Sequence, residues 1–259
     1  MISYEFAMEQ FMLFIMILIR IASFIYVAAI FNTANTPART KVGLAFFVAV
    51  LVYTANPDMT FEYNSVIELA TYVLKEVAVG MLLGVVSAFC VQIIMYSGAI
   101  IDMDTGLSMA QIMDPTTSIQ VGIFGNFYYY ILLLLLLVSG LHRYLIQAII
   151  ETYKVIPIGQ VTFSAGIFDT IMKFIGDYFV IGFRIALPVF SVTLLLNVVL
   201  AILARIAPQM NMFVVGMQLK IFAGIFAVMF TVVMMPAVST VIEEEIHTLL
   251  ASLVRGMSP

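Results

Sequence analysis

The chain has 259 residues, of which 63% are hydrophobic and 10% charged, and its formal net charge is -4. A soluble domain carries about 25% charged residues, so the polar surface needed to enclose a core of this size is missing and the chain reads as an integral membrane protein. The acidic balance and the lack of a basic cluster argue against a nucleic-acid partner.

Roughly 20 apolar residues cross a bilayer as a helix. Phe11 to Phe31 meets that length, with Arg20 in its middle. The arginine either snorkels from a shifted span or faces protein or water. Ahead of this span stand Glu5 and Glu9, with no basic residue and no clear small-residue cleavage site. The span is therefore expected to stay rather than be removed as a signal peptide. Val42 to Tyr53 is apolar but short for a crossing. Val77 to Ile101 is long and uncharged, and its Gly80 and Gly84 form a small-xxx-small face that lets helix backbones approach closely. Its Cys90 reads as a small buried hydrophobe.

The stretch GAIIDMDTGLSMAQIMDP (98–115) follows, with Asp102, Asp104 and Asp114 and no Lys or Arg between Lys75 and Arg143. Val121 to Leu141 is uncharged and holds the run ILLLLLLV. The segment 167–189 has a helical period yet carries Asp169, Lys173, Asp177 and Arg184. The first three are spaced i,i+4 and can line one face, a face better set against protein or water than hydrocarbon. Ile185 to Ala204 and Ile221 to Ile242 complete the set, with Pro188 and Pro236 placed to kink them. The tail from Glu243 reads as an amphipathic helix lined by Ile246, Leu249, Leu250 and Leu253, its acidic triplet at the start where the helix dipole favours it. The expected fold is thus all-α, with about six apolar helical segments in hairpins. Basic residues divide four against six between the two sides, which sets no orientation.

The carboxylates admit several chemistries. Asp102 and Asp104 are two residues apart and cannot be the facing pair of an aspartyl protease, and Ser139 lacks the glycine of a rhomboid-type serine motif. With His142, His247 and Cys90 as the soft donors, no zinc motif forms. No P-loop or dinucleotide fingerprint is present, so neither catalysis nor a cofactor nor a metal is expected. Three readings of the 98–118 region stay open. It is part of a secondary transporter for a small solute or ion, with acids near the midplane. It is part of a pore, where Asp102, Asp104, Asp114, Thr116, Thr117 and Ser118 make a hydrated loop and Gly106, Met109, Ile112 and Met113 a flexible constriction. Or it is an ordinary solvated hairpin loop.

Taken together, the motifs resemble those of the FliR family, the flagellar type III export gate component, with SpaR/YscT injectisome relatives. GAIIDMDTGLSMAQIMDP is similar to the family's Gly-x-x-Ile-Asp…Gly…Asp-Pro signature, and EVAVGMLLG (76–84) to its Glu-x-x-x-Gly-x-x-x-Gly helix. SGLHRYLIQAI…VIPIG (139–159) resembles its Asp-Gly-His…Ile-Pro-x-Gly segment, with Ser139 where Asp is commoner. ALPVFSVTLLLNVVLAILARIAPQMNMFVVGMQLKIFAG (186–224) resembles the most specific stretch, Arg-x-x-Pro-Gln-Met-Asn included.

The resemblance implies a core subunit of the type III protein export gate. Its partners would be FliP-like and FliQ-like subunits, with FlhB- and FlhA-like export components, in the inner membrane at the flagellar basal body. Unfolded flagellar proteins would cross the shared channel. Residues 1–184 would be FliP-like and 185–259 a FliQ-like hairpin. The loop at about 106–120 would plug the closed pore, so Asp102, Asp104, Gly106, Met109, Ile112, Met113, Asp114 and Pro115 are the expected gate residues. Arg205, Pro208, Gln209, Asn211, Gly80 and Gly84 are the expected subunit contacts.

Overall fold

The computed structural model describes residues 4–33, 36–57, 59–61, 63, 65–108, 122–209 and 211–259. Among them the chain forms helices and no strand: α1 (Tyr4–Val27), α2 (Ala38–Ala55), α3 (Val66–Thr105), α4 (Ile123–Ser139), α5 (Leu141–Val155), α6 (Gly166–Ile206), α7 (Met212–Val232) and α8 (Met235–Met257). Five of these, α1, α2, α3, α6 and α7, are long and apolar enough to cross a membrane. The bent pair α4–α5 makes a sixth if counted as one span.

Each apolar segment expected from sequence lies on a helix, but the boundaries differ in ways that have physical causes. The doubtful second segment is a full 18-residue helix. The third starts at Val66 and reaches 40 residues, because its polar first turns have nothing that breaks a helix. The charged segment 167–189 and the apolar run after it are one 41-residue helix with Pro188 inside it. The span placed at Ile221 to Ile242 straddles a break at Val233 and Met234. Pro236 therefore does not kink a helix but lies in the first turn of α8, where its missing N–H costs nothing. The acidic triplet Glu243 to Glu245 sits well inside α8 rather than at its start. A further helix, α5, follows a 65° bend at Gly140, whose φ of 89° suits a residue without Cβ.

The chain forms two compact units. The first comprises residues 1–90, 139–174 and 244–259. Its core is built from Ile17, Ile21 and Phe24 of α1, Ala45, Ala49 and Val52 of α2, and Leu145, Ile149 and Tyr153 of α5. The apolar stripe of the tail, Ile246, Leu249, Leu250 and Leu253, is buried as expected of an amphipathic helix. Phe14 packs edge-on against Phe46 and Tyr53 between α1 and α2, at 5.7 and 6.0 Å. The link before α6 is pinned to the end of α8 by backbone bonds from Thr162 to Met257 and from Ser164 to Gly256.

The second unit comprises residues 91–138 and 175–243. Leu132, Leu136, Ala186 and Val189 are buried in it. Tyr96 of α3 packs on Tyr178 and Phe179 of α6, and Tyr128 of α4 shares a hydrogen bond with Thr231 of α7. The hairpin of α6 and α7 leaves much of its apolar surface uncovered: Leu195 is 66% exposed, Ile206 73% and Phe230 78%.

Candidate functional site

Two clusters hold the polar groups that an apolar chain must justify. The first lies in the first unit, around Arg20. Its guanidinium is fully buried and makes four N–H···O bonds. Two go to Glu76, at 2.5 and 3.0 Å, one to the Thr152 hydroxyl and one to the Ile156 carbonyl. The ring of Tyr153 lies 4.3 Å from the guanidinium carbon. The Glu76 carboxylate also accepts the Gly159 N–H at 3.0 Å. Lys75 donates to the Gly159 carbonyl at 3.3 Å. A fork-shaped cation and a carboxylate are the pair whose geometry best compensates for lost water. Of the two sequence readings of Arg20, the one that faces it to protein holds.

Gly80 and Gly84 complete this seam. A Cβ at Gly80 would meet the Arg20 carbonyl, and one at Gly84 would lie 3.0 Å from the Phe24 carbonyl. The structure uses this small-residue face inside the chain, against α1.

The second cluster lies in the second unit, at the base of the loop that the sequence reading singled out. Asp102, in the last turn of α3, is 3% exposed. Its carboxylate accepts the N–H of Phe124 at 3.2 Å and of Gly125 at 3.4 Å. Those amides open α4, where four N–H groups have no partner in their own helix and the dipole favours an anion. Asp102 thus caps a helix that begins 21 residues after it, and ties the two ends of the intervening loop together. Gly122 permits this, since a Cβ there would overlap the Asp102 carboxylate. Asp104 accepts the hydroxyl of Thr193 on α6. Gly106 ends α3 with a φ of 84°, the left-handed C-terminal turn that glycine adopts freely. Met109, Ile112, Met113, Asp114 and Pro115, the remaining expected gate residues, lie outside the described residues, as do Thr116, Thr117 and Ser118.

At the turn of the α6–α7 hairpin, Arg205 is exposed in the last turn of α6, with Pro208 and Gln209 exposed beyond it. Asn211 caps α7 by accepting the Phe213 N–H at 3.2 Å.

The sequence reading missed Glu76 as the partner of Arg20, and Thr193 as that of Asp104. A signal for the first was present: an acid at the head of an otherwise uncharged run is costly unless a cation meets it. Two of the quoted motifs, Glu76 with its glycines and the Ile156–Gly159 turn, converge with Arg20 of the first span on this one network.

Residues 11–246 match the family described as bacterial export proteins, family 1. The chain is 30% identical to the flagellar biosynthetic protein FliR of Bacillus subtilis over 217 residues, covering 82% of this chain and 83% of that one. It is 29% identical to the FliR of Escherichia coli over 240 residues, 92% of this chain and 90% of that one. It is 27% identical to the surface presentation of antigens protein SpaR of Shigella sonnei over 212 residues, 81% and 80% of the two chains.

Proposed function

The chain belongs to the family of bacterial export proteins, family 1, and from that premise we propose that it is a core subunit of the type III protein export gate. It works in the bacterial inner membrane at the flagellar basal body, packed against FliP-like and FliQ-like subunits, with FlhB- and FlhA-like components nearby. Unfolded export substrates pass through the shared channel.

One observation carries this reading. Within the second unit, exposed apolar residues of α6 recur from Ile175, 43% exposed, to Ile206, 73% exposed. At about 1.5 Å per residue that stretch is about 46 Å long, against a hydrocarbon core of about 30 Å. Lipid covers roughly two thirds of it, and other protein surfaces cover the rest. A solute transporter working alone would not present such a face. The FliP-like and FliQ-like division near residue 184 is thus one of packing surfaces along a continuous helix.

In this gate the loop at about 106–120 is the movable seal, and the cap made by Asp102 and the Asp104–Thr193 bond hold its base. The test is deletion of residues 106–120 in the assembled complex in liposomes. Ion leak through the closed state should rise. Unchanged leak removes the plug role. Failure of the chain to co-purify with FliP- and FliQ-like subunits removes the gate role itself.

A further inference from the structure

An apolar groove of about 200 Å³ lies in the second unit, between the middle of α6 and the corner where α7 meets α8. Ile181, Ile185 and Pro188 form one wall, and Met234, Val238 and Val241 the other. Two polar side chains reach it, Arg184 and Thr231. The threonine hydroxyl is already bonded, to Tyr128 and to the Val228 carbonyl. Arg184 makes no ion pair among the described residues. It also lines a second, shallower apolar hollow with Tyr96, Phe179 and Phe183. Four residues on, Pro188 has no N–H to give the Arg184 carbonyl. One residue thus offers both a cation and a carbonyl acceptor at the edge of an apolar trough.

The place of Arg184 along the chain says what would occupy such a trough. Ile185 to Ala204 is a run of 20 uncharged residues ending at Arg205, about the length that crosses the hydrocarbon core. Gly216 of α7 faces Leu200 of α6, and Thr231 lines the groove with Arg184, so α7 returns antiparallel over the same height. With Ile185–Ala204 taken as the crossing segment, the groove falls at its end, the level of lipid headgroups.

We propose that this groove is a binding site for one anionic phospholipid. The phosphate sits on the Arg184 guanidinium, and an acyl chain lies along Ile185, Pro188, Met234 and Val238. Charge complementarity selects this occupant: the trough is apolar, and its one unpaired polar side chain is a cation shaped for phosphate. A zwitterionic lipid would bring its own cation to the same place.

The full-length chain, extracted from native membrane with the subunits that accompany it, is exchanged into nanodiscs of phosphatidylglycerol and phosphatidylcholine in equal amounts. Native mass spectrometry then counts retained lipid. One phosphatidylglycerol per chain is expected to be retained, with a preference over phosphatidylcholine of about fivefold for a single arginine at the headgroup level. Arg184→Gln removes the preference, and Arg184→Lys keeps part of it. Equal retention of the two lipids, or a preference that survives Arg184→Gln, overturns the proposal. A photo-crosslinking residue at Val241 supplies an independent readout in unextracted membranes. An adduct with phospholipid supports the site, and an adduct with a protein subunit alone overturns it.

Discussion

Arg20 and Glu76, 56 positions apart, face each other as a two-pronged ion pair with no exposure of either side chain. Such a pair adds little over well-packed apolar residues, but breaking it strands a charge, at a cost of about 3 to 5 kcal/mol. Glu76→Ala should therefore lower the thermal midpoint of the detergent-solubilised chain sharply. The double variant Arg20→Met/Glu76→Met should recover the part of that loss that belongs to the stranded charge. It retains a deficit of about 1 to 3 kcal/mol, because the Gly159 N–H is left without its acceptor. A double variant no better than Glu76→Ala would show that the pair's charge is not what the seam depends on.

The same seam predicts a contrast between two glycines. At Gly80 an added methyl meets the Arg20 backbone and the Ser23 hydroxyl, while at Gly43 nothing lies within 4 Å. Backbone cannot step aside as a side-chain tip can, so Gly80→Ala should cost about 1 to 3 kcal/mol. Gly43→Ala, in the open interior of α2, should gain up to about 1 kcal/mol. Unfolding curves of the two variants measured side by side decide it.

These two relationships show what sequence carries and what it does not. Apolar length fixed the existence of the helices, since hydropathy reads burial in lipid or protein directly. The α5 helix escaped it because Arg143, Gln147, Glu151 and Lys154 break up its apolar residues, and the α7–α8 break because the chain stays apolar through the Val233–Met234 corner. The amphipathic stripe of the tail was legible as spacing, and its four apolar residues are buried. Pairing was not legible. Nothing local in the sequence joins Arg20 to Glu76, or Thr193 to Asp104, because these bonds are set by the packing of distant helices. Asp102 shows the same limit: its carboxylate was visible, but that it caps α4 across a loop depends on tertiary approach.

Asp102→Ala removes the acceptor from two amides at the head of α4. Loss of a capping side chain typically costs about 1 kcal/mol, and leaving buried donors unpaired raises this to about 1 to 3 kcal/mol. Hydrogen exchange at Phe124 and Gly125 should accelerate before that of Leu132 in the buried middle of α4. In the assembled gate the loosened loop base should also raise closed-state leak, though less than deletion of the loop. Faster exchange without added leak would separate the cap from the seal.

Arg205 tests the outward face of the hairpin. It is exposed, makes no ion pair among the described residues, and lies in the last turn of α6, where a cation complements the helix dipole by about 0.3 to 1 kcal/mol. Arg205→Glu removes that term and adds its opposite, so the chain should lose no more than about 2 kcal/mol and still fold. Its association is a separate matter. An arginine at a protein contact is held by carboxylates or carbonyls of the neighbour, and a glutamate in its place meets repulsion and lost bonds together. Co-purification with the FliP- and FliQ-like subunits should therefore fall steeply for Arg205→Glu while the thermal midpoint moves by a few degrees. Arg205→Lys should keep most of the association. Full co-purification of Arg205→Glu would place this arginine in water or among headgroups, and leave Pro208 and Gln209 to make the contact at the turn.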